Sequence, residues 1–296
     1  MHATHTHKVF SPARINAIAS NTLLELARLK VFYFLLLFAL LIIGSSAFML
    51  EFPFHEQFQV LKDLGLGAMS IFTWLLSVLA TAMILPKDIE ERTLYTILAK
   101  PVPRFEYLLG KLLGVLWLLL ISTLLMSAMF AVALYTKEHL VLSSTLREMQ
   151  GASPDALQSA LRDVREHAFT MSLVPAIVAI YVKAAIFAAL TLMISTFASS
   201  SIFTIIVSFV IYFIGHVQHI AREEWLGSPH TSALKRAFLA VVALIFPDLQ
   251  LFNLVDDIVA GNAIHMSIFL QTVGLGCAYT FVYAFVAYVI FAYKEL

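Results

Sequence analysis

The chain has 296 residues, 60% of them apolar and only 13% charged, with a mean hydropathy of +0.88. Nineteen basic and nineteen acidic residues leave no net charge, so there is no basic footprint for nucleic acid, and the single Cys277 allows neither an internal disulfide nor a thiolate metal site. So few charges cannot cover the surface of a soluble domain, and the apolar content excludes disorder; an all-α polytopic membrane protein remains.

A helix crossing the hydrocarbon core takes about 20 mostly apolar residues. Six stretches qualify in chain order: Val31–Leu50, Leu64–Leu85, Leu108–Tyr135, Met171–Ser195, Ile202–Ile220 and Met266–Tyr293. An even number of spans puts both termini on one side. Ala237–Phe246 is too short to cross and stops at Pro247 and Asp248, the pattern of a re-entrant or interfacial helix. The first apolar run is span-length with no small-residue cleavage site behind it, and reads as a retained anchor. Basic residues number ten on the side of the termini and eight opposite, and four precede span one where only Lys62 follows it. Both termini are therefore expected in the cytoplasm.

Ahead of span one, a tail with His2, His5 and His7 has no second shell to build a metal site and reads as solvated. Ser11 followed by Pro12 is a helix start. Ile15, Ile18, Ala19 and Leu26 then share a face, while Asn16, Glu25 and Arg28 point elsewhere. This amphipathic helix is expected to lie along the membrane surface.

The loop of residues 86–107 between spans two and three carries the most information. Asp88, Glu91, Arg92, Tyr95 and Thr96 follow one another at helical spacing as a polar stripe, with Leu94, Ile97 and Leu98 beside it. Asp88 and Arg92 are spaced for an ion pair. Pro101 ends the helix, and Pro103 opens the next one at its first position. Helix, sharp turn and helix make a stiff lever wedged between two spans.

On the opposite side, residues 136–170 form an outer insert. Ser153–Pro154 caps a helix whose Leu157, Ala160, Leu161, Val164 and Ala168 line one face, a stripe that needs the outer mouth, a second copy or an extracytoplasmic partner to cover it. Between spans five and six, the apolar half of residues 244–261 is expected to dip into the membrane while Asp248, Asp256 and Asp257 stay hydrated.

Chemistry is absent from the motifs. There is no phosphate-binding G-x-x-x-x-G-K-[ST], since Gly110–Lys111 is followed by Leu112 and Phe105 stands where the first glycine belongs. No metal, redox or nucleophile motif occurs, and His216 and His219 lack a carboxylate or cysteine beside them. No catalytic residue and no metal site is expected. Lys183 is the one charge deep in a span, a candidate pathway residue or a snorkelling lysine, with Tyr181 and Tyr212 near it along the spans.

The stretch ERTLYTILAKPVPRFEYLLGK, residues 91–111, resembles the signature loop after span two in permease subunits of type 2 ABC transporters. LMISTFASSS (192–201), FPDLQLFNL (246–254) and the short tail after Tyr293 also fit that family. The resemblance implies a dimer of six-span subunits in a cell membrane, such as the bacterial inner membrane. Each subunit would engage a separately encoded ATPase through its cytoplasmic helices. ATP and magnesium would then be bound by that partner, with no cofactor on this chain, and export is the direction the family favours. On this reading Asp88, Glu91, Arg92, Tyr95, Thr96, Pro101 and Pro103 form the ATPase-coupling element. Small residues at Gly44, Ser45, Ser46 and Ala47 would let two helices approach closely. An ion-coupled carrier using Lys183, or a scaffold without transport, stands as the alternative, although paired repeats typical of such carriers are not seen.

Overall fold

The computed structural model describes residues 10–46, 54–90, 102–150, 153–168, 170, 173–198, 200–227, 234, 246–255 and 265–294. Its helices in chain order are α1 (Pro12–Ala27), α2 (Lys30–Ser46), α3 (Phe54–Glu90), α4 (Arg104–Glu148), α5 (Pro154–Ala168), α6 (Leu173–Phe197), α7 (Ser201–Gly227) and α8 (Met266–Tyr293). A single 3-10 turn, Leu249–Phe252, precedes α8. Five of the described helices are long and apolar enough to cross a membrane, and α1 with α2, bent by 69°, makes a sixth span if the pair is counted as one. The polytopic all-α reading stands.

The helices end where backbone hydrogen bonding ends, which is often well beyond the hydrocarbon. Helix α3 begins ten residues ahead of the expected span and runs through Pro86 to Glu90. Helix α4 continues without a break to Glu148, so its 45 residues measure about 67 Å against a core of about 30 Å. Thr136–Glu148, expected to belong to a separate outer insert, is thus the far end of α4, since no glycine or proline interrupts it. Helix α5 starts at Pro154 as the sequence predicts, with Ser153 Oγ accepting from the Ala156 amide at 3.4 Å. Its stripe is covered in part within the chain: Val164 and Ala168 are buried where α5 lies on α4 and α3, while Leu157, Ala160 and Leu161 stay half-exposed. Ala237–Ile245, Asp256 and Asp257 lie outside the described residues.

Helix α6 stands at the centre, against α3, α4, α7 and α8. Ala176, Ala179, Ala184, Ala185, Ala188 and Ala189 are all buried along it, and small side chains let four neighbours approach one axis. Several Ser and Thr of the spans bond within their own helix or across to a neighbour. Ser122 and Thr123 bond back to the carbonyls of Leu118 and Leu119, while Ser77 reaches the Ala184 carbonyl at 2.8 Å. The outward faces of α7 and α8 are apolar, with Ile202, Phe213, Phe281 and Phe285 exposed as lipid-facing residues are.

The 3-10 turn enters the bundle instead of resting on its rim. Leu249 packs on Gly215 of α7, and Phe252 on Gly276 of α8. Asp248 is only 3% exposed and its carboxylate accepts the Gln250 amide at the start of the turn. The expected hydration of Asp248 is therefore corrected: capping a buried turn draws the carboxylate inward.

Helix α1 packs lengthwise on α4, with Ile15, Ala19, Thr22 and Leu26 buried. The contact is close because α4 presents Gly110 and Gly114, four apart on one face. A Cβ at Gly114 would stand 2.6 Å from Thr22 Cβ and 2.8 Å from the Ala19 carbonyl oxygen. A Cβ at Gly67 on α3 would meet nothing within 4 Å. Gly114→Leu is therefore expected to lower stability by about 1–3 kcal/mol through overpacking, whereas Gly67→Ala is tolerated. Thermal unfolding of the two variants in the same detergent checks the difference.

Candidate coupling site at the base of the bundle

The first two turns of α4, Arg104–Lys111, meet α1, the end of α3, and the last residues of α6 and α8. This end of the bundle is called the base below. Four polar side chains in these two turns, Arg104, Glu106, Tyr107 and Lys111, fasten α4 to α8, α1 and α3.

Glu106, 1% exposed, holds the start of α1. Arg14 donates to it through Nε at 2.6 Å and Nη2 at 2.8 Å, and the Ser11 amide adds a third bond at 2.7 Å. A forked guanidinium–carboxylate pair is among the stronger charge-assisted contacts, and an anion suits a helix N-terminus. The bond to Glu106 raises Arg14 above its ordinary value. Ser11 occupies the cap position the sequence predicts, yet its side chain makes no capping bond; Glu106 takes the role from another helix.

Lys111, 4% exposed, lies 2.7 Å from Asp88 at the end of α3 and 3.7 Å from Glu25 of α1. Glu25 also pairs with Lys87 at 2.6 Å. The Tyr107 hydroxyl donates to Asp88 Oδ2, the same oxygen that Lys111 contacts. Two carboxylates and two ammonium groups therefore tie α1, α3 and α4 together. Glu25, expected to point away, is turned into this cluster, and Asp88 is 5% exposed instead of standing on an open stripe. The correction has a plain cause: Lys111, buried by the close approach of α1 to α4, needs a counter-charge that the chain supplies from α3.

Arg104 closes the far side of the base. Its Nη1 donates to the carbonyls of Phe291, Ala292 and Lys294 at 3.0, 2.8 and 3.0 Å. Lys294 in turn donates to the Thr196 carbonyl at 2.8 Å, at the end of α6. Cations on orphan carbonyls at a helix C-terminus satisfy both hydrogen bonding and the helix dipole. Tyr107 stacks on Phe291 at 5.9 Å between ring centres.

Of the coupling residues predicted from sequence, Asp88 and Pro103 are described. Pro103 is the N-cap of α4, one residue ahead of its expected place in the first turn. Glu91, Arg92, Tyr95, Thr96 and Pro101 lie outside the described residues, so the Asp88–Arg92 pair does too; Asp88 bonds to Lys111 and Tyr107 instead. Glu25, Glu106, Arg104 and Lys111 were not singled out by sequence. The pair Gly110 and Gly114 was the available signal, because glycines four apart on an apolar helix announce a close neighbour.

Lys183 stands apart from the base. It is 7% exposed, ten residues from one end of α6 and fourteen from the other, and its Nζ lies 5.7 Å from the Tyr212 ring centre. Tyr212 stacks on Trp74 at 3.8 Å and meets His216 at 4.4 Å. Tyr181 bonds the Leu116 carbonyl. The lysine is thus enclosed at mid-span in an aromatic setting, which is not the posture of a snorkelling side chain.

The Lys111 cluster predicts a definite mutational pattern. Asp88→Asn leaves a buried ammonium short of its nearest counter-charge and is expected to cost on the order of 3 kcal/mol. Adding Lys111→Met to that variant removes the stranded charge and should recover most of the loss. A double-mutant cycle on detergent-purified protein measures the coupling; additive effects would show that the pair does not act as a unit.

A family model described as ABC-2 family transporter protein matches residues 53–293, from the start of α3 to the last residue of α8. No individual curated protein matches the chain. Helices α1 and α2 precede the matched stretch, which otherwise takes in the base up to Tyr293. With more than three quarters of its length matched, and with spans to fit, the chain belongs to the ABC-2 transporter family and is a transmembrane permease subunit of an ABC transporter.

Proposed function

We propose that the base is the cytoplasmic face of the permease and the place where an ABC ATPase subunit drives it. The family implies such a partner. In this reading two copies of the chain enclose an export pathway, two ATPase subunits bind ATP and magnesium, and residues 91–101 sit in a groove on each ATPase. Gly44, half-exposed on α2, also lies against the end of Met129 of α4 in the same chain.

One observation carries the reading. Glu25 pairs with Lys87 at the end of α3 and faces Lys111 at the start of α4, so it bridges both ends of the connector that contains residues 91–101. A push on that connector cannot move α3 alone. It is delivered to α1 through Glu25 and, through Arg104, to the ends of α8 and α6 as well. The lever expected from Pro101 and Pro103 therefore has a second arm in α1.

Reversing both charges with Glu91→Lys and Arg92→Glu is expected to reduce co-purification of the ATPase. Arg92→Ala alone removes one exposed contact worth about 0–1 kcal/mol and should weaken it only several-fold at most. Glu25→Gln should behave differently: the ATPase stays bound, but its hydrolysis loses dependence on the permease. Pro101→Gly with Pro103→Gly should do the same by loosening the turn. ATP hydrolysis by the reconstituted complex, beside pull-down of the ATPase, separates binding from coupling. Normal binding and hydrolysis after the double reversal would remove residues 91–101 from the mechanism.

Topology provides an independent test. Reporter fusions at the C-terminus and at Gly151 are expected to report opposite compartments, with the C-terminus cytoplasmic. The same compartment for both would overturn the six-span reading.

A further inference from the structure

Between α4, α6 and α8, just inside the base, the surface is indented by a slot of about 250 Å³. Buried Leu108, Leu112 and Leu192 form its floor, and Phe105, Phe285 and Tyr288 form its walls. It runs from Phe105 to Leu112 on α4 and from Phe281 to Tyr288 on α8, so it is about 10 Å long and parallel to the helices. Phe105 and Tyr288 meet edge to face at 5.4 Å and close its lower end. No carboxylate lines it.

Beyond Tyr288, where α8 ends and α4 begins, stand two cations. Arg104 follows the chain directly into Phe105, and its guanidinium lies at the carbonyls of Phe291 through Lys294. All three of those bonds use Nη1, and among the described residues no bond or ion pair engages its Nε or Nη2. Lys294 is the second cation, bound only to a carbonyl among the described residues. Glu106, the nearest described carboxylate along the helix, is engaged by Arg14. Glu295 lies outside the described residues.

An apolar slot open to lipid, ending at an aromatic pair and followed by two cations at the helix ends, has the chemistry of an amphiphile with one alkyl chain inserted and an anionic head below. We propose that this slot binds an anionic phospholipid from the leaflet on the side of the base, one acyl chain between α4 and α8 and the phosphate at Arg104 and Lys294. Basic residues beside spans attract anionic headgroups in this way. The bound lipid then braces the same two helix ends that Arg104 ties together, and the base becomes sensitive to lipid charge. This holds whether or not the ATPase-coupling proposal does.

The test is lipid retention by the purified full-length permease, read by native mass spectrometry with phosphatidylglycerol against phosphatidylcholine of identical chains. One cation at a membrane surface corresponds to about a fivefold preference for the anionic headgroup, and that is the minimum expected here. Ala284→Trp fills the slot wall and should abolish retention of the tightly held lipid. Lys294→Gln keeps a donor for Thr196 but removes a charge, and should lower the preference for phosphatidylglycerol without loss of acyl-chain binding. Equal retention of the two lipids by the unaltered protein would overturn the proposal with no variant needed. So would Ala284→Trp holding phosphatidylglycerol as before, or that variant dissociating permease dimers while lipid retention is unchanged, which would mean that a second copy covers the slot.

Discussion

Lys111 sets the conditions that the rest of the base must meet. Its ammonium is buried because Gly110 and Gly114 let α1 lie hard against α4, and an ion so placed is tolerated only with counter-charges in good geometry. Asp88 and Glu25 are those counter-charges, and they arrive from two different helices. Close packing and charge pairing are therefore one constraint. Removing either glycine would pull α1 away and hydrate the lysine; removing either carboxylate would leave α1 packed over a poorly matched ion.

The same two turns of α4 reach in the other direction through Arg104 and Tyr107. Arg104 gathers the terminal carbonyls of α8, and Lys294 passes the link on to α6. Since α3, α4, α7 and α8 all pack on α6, the base is mechanically joined to the centre of the fold. Higher up, the bundle is held mainly by apolar side chains and by alanines along α6, with few cross-helix bonds such as Ser77 to the Ala184 carbonyl, and the apolar contacts allow small sliding. Directional bonds concentrate at the base. A permease that must move in response to a partner at one end is served by that division, rigid where force enters and compliant where helices have to shift.

Much of the architecture was legible in the sequence because hydropathy and punctuation are local. Helix α8 has the predicted limits, α5 starts at the predicted proline, and α6 begins and ends two residues later than its predicted span. Where the prediction fell short, a different physical quantity was in control. Hydropathy at Leu64 and Tyr135 reports where a chain leaves hydrocarbon, but α3 and α4 continue past those points because nothing breaks their backbone hydrogen bonds. The site was less legible than the fold. Glu25 and Lys87 are 62 residues apart, and Arg14 and Glu106 92 apart. No pattern in either neighbourhood reveals the partner. Asp88 illustrates the cost of local reading: beside Arg92 it looks like a member of an exposed stripe, yet the fold commits it to Lys111.

Why charges, where an apolar contact would hold the helices as well, follows from what each permits. Replacing a buried ion pair by apolar groups of the same volume is often neutral or stabilising, so the Lys111 cluster is weak evidence for stability as such. What it does supply is register. An apolar seam between α1 and α4 tolerates a slip along its length, whereas Glu25 can meet Lys87 and Lys111 together in only one position. Arg14 on Glu106 fixes the other end of α1 in the same way, eleven residues earlier, or about 16 Å along the helix. With both ends pinned, α1 can neither slide nor rotate independently of α4, and any displacement of one is a displacement of the other. The polar contacts at the base are therefore best understood as setting which motions the bundle can make, with the apolar body above supplying the energy that keeps it folded.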